Sequence, residues 1–299
     1  MLEHLLEPCP DLTRALPGIR RATASGAPVL ILGPPGSGRS TLARALHSAG
    51  PRASAPLVEI DPGAVPANLF ESDLFGYRAG AFTGAVEDRR GRVERAEGGT
   101  LLLDHVEELP LEVQPKLLRL VAEQRYTPLG GRERSADVRF LTIGADNLRD
   151  RVERGIFRPD LFYRLEVLAF RMPPLIERRR DLPILVADIL DDLRRRFARP
   201  AVELSVAAER WIVEHPWPGN LSQLRNFLER ELIVSDGDLL DPRPPGVAGE
   251  PPPRPLLKVE EEAIRRALAY TRGHQGRAAE LLGISRKALW EKRRRLGIP

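Results

Sequence analysis

The chain is predicted to be an α/β protein: a parallel sheet covered by helices on both faces, followed by purely helical parts. Three observations predict it. Short apolar runs recur between helical stretches: Val29-Leu-Ile-Leu32, Leu57-Val-Glu-Ile60, Thr100-Leu-Leu-Leu103 and Val138-Arg-Phe-Leu-Thr-Ile143. Strands that alternate with helices are joined by crossovers, which makes them parallel and buries both faces of the sheet. After Pro173-Pro174 the strand pattern stops and apolar residues recur only at helical spacing. A stretch dense in Pro and Gly, residues 241–255, then reads as a semi-rigid linker before a basic tail.

Taken in order, residues 1 to about 26 read as a short helical lead-in. Val29–Leu32 is a buried strand, followed by a Gly/Pro-rich loop and a helix over Thr41–Leu46. The remaining strands follow with helices between them, and the α/β part is expected to span 1–172. In 173–240, Asp181–Phe197, Ala207–Glu214 and Leu221–Val234 carry amphipathic helices, and Trp217-Pro-Gly-Asn220 reads as a turn and helix start. The tail, 256–299, opens with an amphipathic helix over Leu256–Ala269.

A chain of 299 residues holds two or three compact units. No apolar run approaches the roughly 20 residues that span a bilayer, and the N-terminus lacks a basic stretch followed by an apolar one. Cys9 is the single cysteine, which rules out an intrachain disulfide and fits a reducing compartment. A cytoplasmic protein without membrane contact is expected. The tail carries 11 Lys+Arg against 5 Asp+Glu, a net +6 within a chain whose total is +4. This asymmetry points to a nucleic-acid-binding end on a near-neutral body, with a solvated basic helix as the competing reading.

Gly33-Pro-Pro-Gly-Ser-Gly-Arg39-Ser40 follows a strand and opens a helix, the setting of a phosphate-binding loop. There Gly33, Gly36 and Gly38 let backbone N–H groups of the loop and of Arg39, Ser40 and Thr41 cradle phosphates. The cation in this loop is ordinarily a lysine. Arg39 is longer, planar and forked, and does not place the same point charge on a phosphate. Asp104 ends an apolar strand, where it and the Ser40 hydroxyl would hold Mg²⁺. His105 follows as a candidate base, with simple packing or hydrogen bonding as the alternative. Glu107 and Glu108 are expected to point elsewhere. Gly80-Ala81-Phe82-Thr83-Gly84-Ala85 reads as an exposed loop in which two glycines bracket an aromatic and a hydroxyl offered to a partner. In the tail, Gln275 to Trp290 has helix-turn-helix spacing: Ala279 lets helices cross closely, Gly283 makes the turn, Leu289 anchors the second helix and Ser285 caps it. Arg286 and Lys287 are candidates for base edges, and Lys292, Arg293 and Arg294 for phosphates.

The order and spacing of these motifs, with Glu71-Ser-Asp-Leu-Phe-Gly76, Gly98-Gly-Thr-Leu-Leu-Leu-Asp104 and Phe157-Arg-Pro-Asp-Leu-Phe-Tyr-Arg-Leu165, resemble the bacterial enhancer-binding proteins over nearly the whole chain. These are AAA+ ATPases that remodel sigma-54 RNA polymerase. The resemblance implies an AAA+ P-loop core, a helical lid subdomain and a Fis-type DNA-binding domain that takes an enhancer site. It also implies ATP and Mg²⁺ as cofactors, Gly80–Ala85 as the sigma-54 contact loop, Gly130-Gly131 as a second pore-side loop, and a homo- or hetero-oligomeric ring, a hexamer in the family. Arg158 and Arg164 match the arginine fingers that reach a neighbouring subunit's nucleotide. The departures concern the subunit's own site: Arg39 for the loop lysine, His105 for the glutamate that polarises water, Asp61 for the asparagine that restrains it, Gly144-Ala145 for Thr-Asn, and Ser222 for a sensor arginine. No separate receiver or sensor domain is expected ahead of the core. The expected function is a sigma-54-dependent regulator with weak or lost hydrolysis. A fully active ATPase and a non-hydrolysing partner in a mixed ring stay open, and a sigma-70-type repressor on the same scaffold is a weaker reading.

Overall fold

A computed structural model of the protein describes residues 6, 8–235, 237–241, 264–265, 267–268, 270–271 and 273–296. The chain divides into two compact units, residues 1–241 and 242–299.

In the first unit a five-stranded sheet comprises β1 (Val29–Leu32), β2 (Leu57–Ile60), β3 (Thr100–Leu103), β4 (Arg139–Gly144) and β5 (Leu168–Arg171). Its order is β2-β3-β4-β1-β5 and every pairing is parallel, as the alternation of strands and helices predicts. β5 has no counterpart among the strands read from the sequence. It is a four-residue edge strand in which only Phe170 is buried, so it lacks the continuous apolar run that marks the central strands.

The period-2 alternation of a strand sorts its side chains between two cores. Leu30, Leu101, Leu103 and Phe140 face one cluster with Phe70, Phe75, Leu117, Leu120 and Phe162. Val29, Ile31, Leu102, Leu141 and Ile143 face the other with Leu12, Leu42 and Leu46. The second cluster continues without a break into Leu182, Leu193, Leu224 and Leu228, so the helices after Pro174 share a core with the sheet. Those helices are Leu182–Arg196, Val206–Glu214, capped by Ser205 through the Ala208 amide at 3.1 Å, and Asn220–Val234. The lead-in consists of helices Pro10–Ala15 and Ile19–Ala24.

In the second unit, helices Gln275–Leu281 and Arg286–Arg295 are joined through Gly283 in the left-handed region, φ 64°. Ser285 Oγ accepts from the Ala288 amide at 3.1 Å, the expected cap. Ala278, Ala279 and Leu289 are buried with Ile264 and Ala267, so the small crossing residue and the apolar anchor are where the spacing put them. Ile264, Arg265, Ala267 and Leu268 are helical. The rest of the helix expected from Leu256, and the linker beyond Asp241, lie outside the described residues.

Candidate nucleotide pocket, sigma-54 loop and DNA-binding helix

The sheet order decides the pocket. β4 lies between β1 and β3, so the loop after β1 and Asp104 after β3 emerge on the same edge with Gly144 between them. Ligands of open parallel sheets bind at that carboxyl edge. There a cavity of about 440 Å³ is lined from the sheet side by Gly36, Gly38, Ser40, Asp104 and His105, and from the helical side by Asp188, Ser222 and Arg225.

The loop is built to a backbone shape that only glycine allows at its centre. Gly36 has φ 73°, and a Cβ there would meet the Gly219 carbonyl at 2.5 Å. Gly38 then starts the helix Arg39–Ser48, whose first amides have no intrahelical acceptor and whose first turn lines the cavity. Ser40 Oγ donates to Asp104 Oδ2 at 3.0 Å, so the two groups expected around Mg²⁺ are already together.

Arg39 is 7% exposed. Its Nη1 donates to the Gly33 carbonyl at 2.9 Å and to the Gly144 carbonyl at 2.6 Å. The guanidinium therefore braces the base of the loop against the end of β4. His105, with φ 47°, places its Nδ1 3.0 Å from Asp61 Oδ2, and its amide donates to Asp104 Oδ1 at 2.9 Å. A carboxylate only accepts, so Nδ1 carries the proton in that bond. Two departures noted separately in the sequence, Asp61 and His105, are thus one hydrogen-bonded pair. Glu107 accepts from the Ala145 amide at 3.1 Å and Glu108 pairs with Arg151 at 2.9 Å, so both point away, as expected. Arg225 is ion-paired to Asp192, and Asn147 is exposed at the start of helix Leu148–Glu153.

Sequence reasoning missed the residues that hold the loop from the helical side. Asn220 Nδ2 donates to the Pro35 carbonyl at 2.9 Å while its Oδ1 accepts from the Leu175 amide at 2.7 Å. The Leu221 amide donates to the Gly36 carbonyl at 2.9 Å. The left-handed φ of Asn220, 54°, buried at 2% exposure, is the only hint, and φ is not visible in a sequence.

The Gly80–Ala85 loop rises from a short antiparallel pair, Gly76-Tyr77 with Arg89-Arg90. Arg78 and Asp88 form an ion pair across its stem, and the Ala79 amide donates to Asp88 Oδ1 at 2.9 Å. Those two partners, the amide first, hold the Asp88 carboxyl below its usual range. The loop closes on itself through the Gly80 amide and Ala85 carbonyl at 2.8 Å. Ala85 is buried, Thr83 is exposed, and Phe82 is 43% exposed with its ring edge-on to Tyr77 at 4.9 Å. Gly130 packs on Ala81, where a Cβ would lie 2.9 Å from the Ala81 Cβ, so the second loop abuts the first.

Arg158, half-exposed, stands at the N-cap of the helix Pro159–Leu165, and Arg164 is exposed in its last turn. The buried Gln114 fixes the segment: its Oε1 accepts from the Arg158 amide at 2.8 Å. The Arg158 fork pairs with Asp160 at 2.7 and 3.1 Å and holds that carboxyl below its usual range. Arg164 donates to the Ala122 carbonyl at 3.0 Å. In the second unit Ser285, Arg286 and Lys287 are exposed at the start of the last helix, and Lys292, Arg293 and Arg294 follow in its last turn, with Arg294 over the Trp290 ring at 5.6 Å.

A parallel P-loop sheet with an attached helical lid and a helix-turn-helix unit defines an AAA+ transcription regulator. The sigma-54 interaction domain matches residues 5–171, an AAA+ ATPase lid domain 176–244, and the Fis family of bacterial regulatory proteins 256–296. The chain belongs to the sigma-54-dependent activator family. It is 37% identical to the response regulator protein PilR of Pseudomonas aeruginosa over 99% of this chain and 70% of that one. It is 37% identical to the C4-dicarboxylate transport regulator DctD of Rhizobium meliloti over 98% of this chain and 64% of that one. The chain thus spans about two thirds of the length of these relatives. Among solved structures, NtrX from Brucella abortus in complex with ATP superposes with TM-score 0.72 at 31% identity, over 96% of this chain and 68% of that one. The fold also matches Hsp104, with TM-score 0.54 at 17% identity over 69% of this chain and 40% of that one. Among the described residues no helix is long and apolar enough to cross a membrane.

Proposed function

We propose that the chain binds DNA through the helix Arg286–Arg295, contacts sigma-54 RNA polymerase through Gly80–Ala85, and binds nucleotide with hydrolysis weak or lost. One observation carries the last point: Arg39 is committed to the Gly33 and Gly144 carbonyls. The positive charge that the loop ordinarily offers to the β/γ-phosphates serves here as a brace. Two further features support it. His105 is held by Asp61, where the family has a water-polarising glutamate. Asp188 lines the helical side, where Ser222 replaces the sensor arginine.

The residues present fit a bound nucleotide. The glycine cradle is shaped, the first amides of Arg39–Ser48 are unpaired within their helix, and Ser40 and Asp104 form an oxygen pair suited to Mg²⁺. When bound, a nucleoside triphosphate with Mg²⁺ would supply the negative charge that the loop amides and the arginines of an adjoining subunit stabilise. That the NtrX structure contains ATP supports the same reading. The half-exposed Arg158 and the exposed Arg164 suit contribution to a neighbour in a ring, a hexamer by family likeness, made of this chain or mixed with a paralogue.

The test is ATP binding and turnover by the purified chain, alone and as Arg39→Lys with His105→Glu. Binding with little turnover, and a gain of turnover in the double variant, is expected. Rapid turnover by the parent refutes the loss of hydrolysis and makes Arg39 and His105 working substitutions.

A further inference from the structure

Beneath the phosphate loop lies a buried ion pair that the nucleotide site itself does not use. Arg178 and Asp181 are 1% and 0% exposed, and their Nε–Oδ2 distance is 3.0 Å. Asp181 accepts two more bonds, from the Asp11 amide at 2.9 Å and the Leu12 amide at 3.0 Å. Both amides belong to the first turn of Pro10–Ala15, where helix N–H groups have no acceptor of their own. Arg178 Nη1 points the other way and reaches the Ser37 carbonyl at 3.5 Å. With Asn220 on Pro35 and the Leu221 amide on Gly36, three successive carbonyls of the phosphate loop are held by the segment that begins the lid and by the first turn of Asn220–Val234.

We propose that Arg178, Asp181 and Asn220 are positioning residues that couple the Cys9–Leu16 segment to the phosphate loop, so that the loop keeps its nucleotide-binding shape only while that segment is docked. The physical reason is the cost of an unsatisfied buried carboxylate. Undocking removes two of the three donors that Asp181 has at zero exposure. A buried charge stripped of donors must re-pair or meet water. Its remaining donor is Arg178, so the pair shifts and the hold on Ser37 shifts with it. By reciprocity, a ligand that fixes the loop fixes the segment.

The molecule carries its own reporter. Cys9 is the only thiol of the chain, is 2% exposed and immediately precedes the docked helix, beside Arg178 and Asp181. Burial first, and the Asp181 charge second, push its thiol up, so it is inert while docked. Labelling of Cys9 by a thiol–disulfide reagent in the full chain therefore reads undocking, and amide exchange over residues 33–40 reads the loop.

Asp11→Ala removes the carboxylate that accepts from the Arg180 amide at 3.0 Å, outside the pocket. Without nucleotide it is expected to speed Cys9 labelling and loop exchange by the same factor, with exchange over 57–60 at the far edge of the sheet unchanged. Leu12→Ala is the stronger perturbation and decides the matter if Asp11→Ala leaves labelling unchanged. Faster labelling with unchanged exchange over 33–40 overturns the coupling. A second arm rests on the nucleotide reading proposed above. With ADP at about ten times its measured Kd, Cys9 labelling should slow about tenfold. In Arg178→Lys, saturating ADP should give little protection. Binding without protection in the parent overturns the coupling. If no nucleotide binds at all, the nucleotide reading fails instead, and the comparison in the free protein decides the coupling by itself.

Discussion

Arg39→Met separates a brace from a phosphate ligand. Methionine keeps the apolar stem and removes the guanidinium, and with it the bonds to Gly33 O at 2.9 Å and Gly144 O at 2.6 Å. A hydrogen bond from a charged donor contributes about 1.5–3 kcal/mol net. Both bonds share one Nη1, so the lower end applies to each and the expected loss is about 3 kcal/mol. For a unit of 241 residues, 1 kcal/mol corresponds to about 2–4 °C, which puts Tm about 6–12 °C lower. Thermal unfolding followed by far-UV circular dichroism, without nucleotide, measures it. Arg39→Lys should fall between, because an ammonium retains the charge but not the reach of the fork. If Arg39 instead served only to bind phosphate, the nucleotide-free melting temperature of Arg39→Met would match the parent, and the brace would be refuted.

Three further outcomes follow from other parts of the molecule. The His47 pKa is lowered from its ordinary 6.5 by burial first and by the Arg139 charge second, and its Nδ1 lies 3.0 Å from Thr100 Oγ1. The folded state thus favours the neutral ring: this contribution to stability is complete above the ordinary value and is lost as pH falls through it toward the folded one. Denaturant titrations of His47→Gln between about pH 7 and pH 5 should show a flatter decline than the parent, and an equal slope would reject the linkage. Phe82→Ala gives up one edge-on contact with Tyr77, about 0.5–1.5 kcal/mol, so folding should survive while capture of sigma-54 polymerase is lost; retained capture would remove Phe82 from the contact. In fluorescence anisotropy with the cognate site, Arg286→Ala with Lys287→Ala should relax base preference. Arg294→Ala should weaken all sequences alike and lower the salt slope by about 1, and the reverse pattern would exchange their roles.

Much of the fold was legible because its signals are local. An apolar four-residue run next to glycine marks β1 and the phosphate loop wherever it occurs, and the same holds for Thr100–Leu103 with Asp104. The tail was legible for the same reason: Ser285 caps, Gly283 turns and Ala279 crosses within a few residues of one another, and each is found in that role. β5 escaped because a half-exposed edge strand needs little apolar character, and only its pairing with β1 defines it.

By itself, the sequence determined the kinds of chemistry present: a glycine loop that suits phosphate, a hydroxyl and a carboxylate that suit Mg²⁺, a protruding aromatic loop, a basic recognition helix, and a set of altered residues in the subunit's own site. Only the tertiary structure decided what the altered residues do. Arg39 meets Gly144, 105 positions away, because the sheet order inserts β4 beside β1. His105 meets Asp61 across 44 positions because β2 and β3 are neighbours. Asp181 meets Asp11 and Leu12 across about 170 because the lead-in helix and the lid pack on one face of the sheet. Strand order and shared cores are set by how whole faces bury one another, a non-local balance that no single motif encodes.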